Sequence, residues 1–92
     1  MKHAGSAALD ALADMLAEIR GHGRLVERRP GIFYLKGRAF LHFHEDASGL
    51  HADLRSGAEW ERFRVETAAE RRTFLAALRR IPLLRDRPVR SR

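Results

Sequence analysis

The sequence predicts an α+β domain, an antiparallel β-meander of four to five strands with an N-terminal and a C-terminal helix packed on one face. Three observations carry this. Apolar residues recur at helical steps near both ends, the middle alternates with period two, and glycine-containing turns cut that middle into short segments.

Leu9, Leu12, Leu16 and Ile19 recur at steps of three and four, with Ser6 available as an N-cap, so a helix is expected over residues 7–20. Gly21-His22-Gly23 should end it with a left-handed cap. Residues 25–29 and 32–35 read as short strands separated by Pro30-Gly31. Lys36-Gly37 then forms a tight turn. A two-residue loop there sets Leu35 opposite Arg38, Tyr34 opposite Ala39, Phe33 opposite Phe40 and Ile32 opposite Leu41.

From Arg38 to Arg55 the alternation sorts Ala39, Leu41, Phe43, Leu50, Ala52 and Leu54 onto one face, and Phe40, His42, His44, His51 and Asp53 onto the other. The turn Glu45-Asp46-Ala47-Ser48-Gly49 places Glu45 across from Leu50. His44 then faces His51, His42 faces Asp53, Phe40 faces Arg55, Phe43 faces Ala52 and Leu41 faces Leu54. Carried across the shared strand, this pairing adds Ile32 and Tyr34 to the core face and Phe33, Leu35 and Phe40 to the histidine face. Residues 60–66 alternate again, with Phe63 and Val65 inward and Arg62 and Arg64 outward, as an edge strand protected by its arginines. Thr67-Ala68-Ala69-Glu70 is a capping box opening a helix whose buried stripe is Phe74, Leu75, Leu78 and Ile81, and Pro82 stops it.

Ninety-two residues allow one domain with a modest core, here residues 1–82, followed by a basic segment at 83–92 with little fixed structure. Cysteine is absent, which excludes disulfides and thiolate chemistry and restricts any structural metal to histidine and carboxylate ligands. No apolar run approaches a membrane span and no signal-peptide core opens the chain, so a cytoplasmic location is expected. The net charge of +6 is unevenly placed: Arg79, Arg80, Arg85, Arg87, Arg90 and Arg92 face only Asp86, leaving +1 for residues 1–78.

Two helices on one sheet face leave the other uncovered, and the sequence expectation is that Phe33, Leu35, Phe40, His42, His44, His51, Asp53, Arg55 and Trp60 form a binding surface there. Its simplest occupant is a second copy of the chain, giving a homodimer; a small apolar or aromatic ligand is another. His42, His44, His51 and Asp53 could converge on a divalent metal, the one cofactor the residues suggest. Nucleic acid is a further candidate partner, through Arg62, Arg64, Arg79, Arg80, Arg85, Arg87, Arg90 and Arg92. Catalysis lacks support: no nucleophile elbow or phosphate-binding glycine loop is present, and Ser48 sits in a turn that selects serine for its own reasons. The reading is a non-catalytic binding or self-association module.

Gly37-Arg38-Ala39-Phe40-Leu41-His42-Phe43-His44, then Ala52-Asp53-Leu54-Arg55, then Trp60 ahead of Phe63-Arg64-Val65 and a closing helix, resembles the small bacterial luciferase-family domain over about half the chain. The chain is shorter between Leu54 and Trp60 than that pattern. The resemblance implies the same strand order and no defined activity.

Overall fold

A bulge at Phe40 organises the sheet. In the structure, a computed structural model that describes residues 2–81, the order is β1 (Lys2–His3), α1 (Ser6–Ala11), α2 (Ala13–Arg20), β2 (Leu25–Arg29), β3 (Ile32–Leu35), β4 (Arg38–Asp46), β5 (Gly49–Ser56), β6 (Glu59–Arg64) and α3 (Ala68–Arg79). Strands β2 to β6 form the expected antiparallel meander, and β1 pairs antiparallel with the far end of β4, where His3 lies opposite His44. The segment expected at 83–92, with Arg85, Arg87, Arg90 and Arg92, lies outside the described residues.

The β4–β5 ladder has the register read from the turn: His44 faces His51, Phe43 faces Ala52, His42 faces Asp53 and Leu41 faces Leu54. The β3–β4 ladder begins as a two-residue loop dictates, with Leu35 opposite Arg38 and Tyr34 opposite Ala39. It then slips, pairing Phe33 with Leu41 and Ile32 with His42, so that Phe40 is the extra residue. A slip of one inverts every side chain beyond it. Phe33, Leu35 and Phe40, expected on the histidine face, are instead 1 %, 6 % and 6 % exposed in the core, while Ile32 and Tyr34 are only half-buried. The physical reason is burial. A flat hairpin would leave those three large groups in water, and burying each is worth roughly 1.5–3 kcal/mol.

Leu12 at the α1–α2 junction, Met15, Leu16 and Ile19 from α2, and Phe74 and Leu78 from α3 join Leu41, Phe43, Ala52 and Leu54 in one core, so α2 and α3 cover the same sheet face. The single helix expected at 7–20 is divided at Leu12, which leaves helical geometry (φ −99°, ψ 12°) while its N–H is shared between the carbonyls of Ala8 and Leu9. Gly5, not Ser6, occupies the N-cap, and its N–H donates to Glu45 Oε2. Gly21 caps α2 in right-handed geometry (φ −73°), against the left-handed cap expected. The capping box of α3 is complete, with Thr67 Oγ1 accepting from the Glu70 N–H and Glu70 Oε1 accepting from the Thr67 N–H. Among the described residues no helix is long and apolar enough to cross a membrane.

Candidate functional site

The face opposite the helices is built by alternation on β4, which turns His42 and His44 away from Leu41 and Phe43. Their rings lie 4.4 Å apart, edge to face. Because β1 pairs in register with this end of β4, His3 stacks on His44 at 5.4 Å and sits 5.9 Å from His42. One ligand nitrogen from each of the three rings lies within 4.8 Å of the other two. Trp60 on β6 closes one side, 4.7 Å from the His42 ring, and the Arg55 guanidinium covers Trp60 at 4.5 Å.

Asp53 is the anionic element, buried at 6 % exposure. Arg62, opposite it on β6, donates Nε–H and Nη2–H to its two carboxylate oxygens at 2.7 and 2.9 Å. His44 Nε2 approaches Oδ2 at 3.0 Å. That contact is an ion-pair distance without hydrogen-bond alignment: among the described residues, both nitrogens of His44, and Nδ1 of His42, are buried without a hydrogen-bond partner. Unsatisfied buried nitrogens are costly and call for an explanation.

Burial pushes His42 and His44 below the usual histidine range, the neighbouring imidazoles and Arg62 adding to the shift and Asp53 opposing it. Burial opposes ionisation of Asp53, yet its carboxyl is held below the ordinary value by the hydrogen bonds from Arg62 and by the nearby positive charge. Near neutral pH the two inner imidazoles are therefore uncharged, which is the ligating form, beside a charged carboxylate.

The expected set is only partly assembled here. His42, His44, Asp53, Arg55 and Trp60 come together; Phe33, Leu35 and Phe40 lie in the core, so the apolar half expected of this face is absent. His51 turns to the β4–β5 hairpin, its Nε2 2.9 Å from Ser48 Oγ and 3.3 Å from Asp46 Oδ1. Two bonds from Ser48 hold the Asp46 carboxyl down to about 2. Asp46 meets the serine and the same ring nitrogen that the serine meets, so these residues form a turn network and not a catalytic relay. Of the arginines proposed for nucleic acid, Arg62 pairs with Asp53, Arg64 with Glu70 and Arg79 with Glu18, which consumes much of their charge locally.

His3 was not foreseen, since a two-residue strand carries no periodicity to read. Arg62 was within reach. A two-residue loop at Gly57-Ala58 sets Arg55 opposite Trp60 and hence Asp53 opposite Arg62, as observed. No family model, curated protein or solved structure matches the chain.

Proposed function

We propose that this chain is a small metal-binding module whose outer sheet face holds one divalent transition-metal ion through His3, His42 and His44. The single observation that carries this is the convergence of three imidazoles, two of them inner rings whose Nδ1 atoms are buried and, among the described residues, have no hydrogen-bond partner. Three nitrogen donors, with His3 on the exposed side, suit zinc and its neighbours, which favour imidazole over oxygen ligands. Donors around a four-coordinate ion with bonds of about 2 Å lie roughly 3.3 Å apart, so modest ring rotation closes the present arrangement.

Asp53 supports the same reading. Its carboxylate lies 3.0 Å from Nε2 of His44, within reach to orient that ring as carboxylates orient ligating histidines, and its charge offsets the cation. His42, His44, Asp53 and Trp60 all come from the segments that resemble the luciferase-family domain.

Calorimetric titration of the full chain with Zn²⁺, with native mass spectrometry for stoichiometry, tests the proposal. One ion per chain is expected, lost in His42→Ala and in His44→Ala and weakened in His3→Ala. Absence of uptake, or uptake unchanged by all three substitutions, overturns it.

A further inference from the structure

At the other end of the sheet, the β3–β4 turn, the β5–β6 turn and the last turn of α3 enclose a half-open cleft of about 540 Å³, a volume typical of small-molecule sites. Its floor is apolar: Leu35, Phe40 and Leu54, each at most 6 % exposed, with Ile81 along one wall. Phe40 is there because of the bulge, which brings it to the core side beside Leu41.

Its mouth is cationic. Lys36, Arg38 and Arg80 line it, and among the described residues none of the three forms an ion pair. Among the described residues, Glu61 is the one acid in the lining. A fourth cation, Arg55, is already committed, donating Nε–H to the Ala39 carbonyl at 2.7 Å. Lys36 is also notable for its backbone: with φ 54° it occupies the first position of the two-residue turn in left-handed geometry, where glycine, asparagine or aspartate is the usual choice. The turn thus accepts a less favourable residue and gains a positive charge at the rim.

We infer that the cleft defined by Leu35, Phe40 and Leu54 below and Lys36, Arg38 and Arg80 above binds an organic anion with an apolar body, a fatty-acyl or aromatic carboxylate. A neutral apolar ligand leaves the excess of positive charge, three cations against Glu61, without a counter-charge. An inorganic anion leaves the greasy floor wet. Only a molecule with both parts answers both features, since apolar burial supplies affinity and charge-assisted hydrogen bonds fix the head group. None of the proposed metal ligands belongs to this cleft, so the two proposals stand or fall separately.

The test uses the full chain and two fluorescent probes of nearly the same shape, anilinonaphthalene sulfonate and its uncharged congener N-phenylnaphthylamine. Saturable binding of one sulfonate per chain is expected. Arg38→Gln/Arg80→Gln, both on the surface, should weaken the sulfonate roughly tenfold while moving the neutral probe by no more than about twofold. Ala77→Phe, which fills the cleft from α3, should abolish binding of both with the circular dichroism spectrum unchanged. Displacement by decanoate assigns an acyl ligand and displacement by naphthoate an aromatic one. Failure of both to displace, non-saturable binding, equal affinity for the two probes, or a sulfonate affinity unchanged in the double variant overturns the inference.

Discussion

His44 Nε2 lies 3.0 Å from Asp53 Oδ2, although the residue opposite Asp53 in the ladder is His42. The contact is therefore diagonal, and it leaves His42 without a carboxylate of its own. Asp53 instead accepts from Arg62 on both oxygens and shares Oδ2 with His44, which joins β4, β5 and β6 through one buried charge.

Removing that charge should weaken both the metal site and the fold. Asp53→Asn keeps the shape but loses the anion, and supporting carboxylates of this kind are worth about 10- to 100-fold in metal affinity. The expected outcome is that loss in Zn²⁺ affinity by calorimetry, with a stability change of about 1–3 kcal/mol by urea unfolding.

Arg62→Gln should raise the pKa of His44. Arg62 depresses it directly by positive charge, and its removal leaves the Asp53 carboxylate free to favour the imidazolium. Titration of the His44 ring resonances by nuclear magnetic resonance should show an upward shift; no shift would mean that Arg62 does not help set the value.

Stability should fall on mild acidification. The folded-state pKa values of His42 and His44 lie below the unfolded value near 6.5, so the unfolded chain binds more protons as pH drops past that point. Their contribution is complete above about pH 6.5 and is lost as pH falls through the lower folded values. Urea midpoints between pH 7.5 and 5 should decline, and His42→Gln/His44→Gln should flatten the decline. The depressed carboxyls of Asp53, Glu27 and Glu70 act in a lower window, below their unfolded values near 4.

The bulge can be read from stability alone. Phe33→Ala should cost about 3–5 kcal/mol because Phe33 is enclosed in the core, whereas Tyr34→Ala should cost about 1 kcal/mol, chiefly its ring contact with Arg28 at 4.7 Å. A flat hairpin reverses this order. Denaturant midpoints with unchanged slopes decide between them.

Gly49→Ala should destabilise by about 1–3 kcal/mol. Gly49 has φ 124°, and a Cβ there would lie 2.6 Å from Glu66 Oε1, which accepts the N–H of Leu50 at 2.9 Å. Thermal unfolding of the variant measures the loss.

Much of this molecule was legible in one dimension because the relevant signals are local. The Thr67–Glu70 box starts α3, and the hairpin from Glu45 to Leu50 sets which residues of β4 and β5 meet; both depend on residues within a few positions of each other. His42, His44, Asp53 and Trp60 could be placed on one face for the same reason. The assignment of Phe33, Leu35 and Phe40 failed because a bulge has no fixed sequence signature at Phe40. It is chosen by what the helices opposite can bury. The division at Leu12 was hidden likewise, since the periodicity of residues 7–20 is that of an unbroken helix.

By itself, the order of residues determined the meander, the two flanking helical regions and the pairing of β4 with β5, all of which follow from short-range periodicity and turn chemistry. Tertiary structure alone decided three things: that β3 slips by one residue, that His3 comes from the far end of the β4 edge to join His42 and His44, and that a cationic cleft opens over Phe40. The reason is that each depends on contacts between segments distant along the chain, where the free energy of burying large apolar groups against the helices outweighs any local preference.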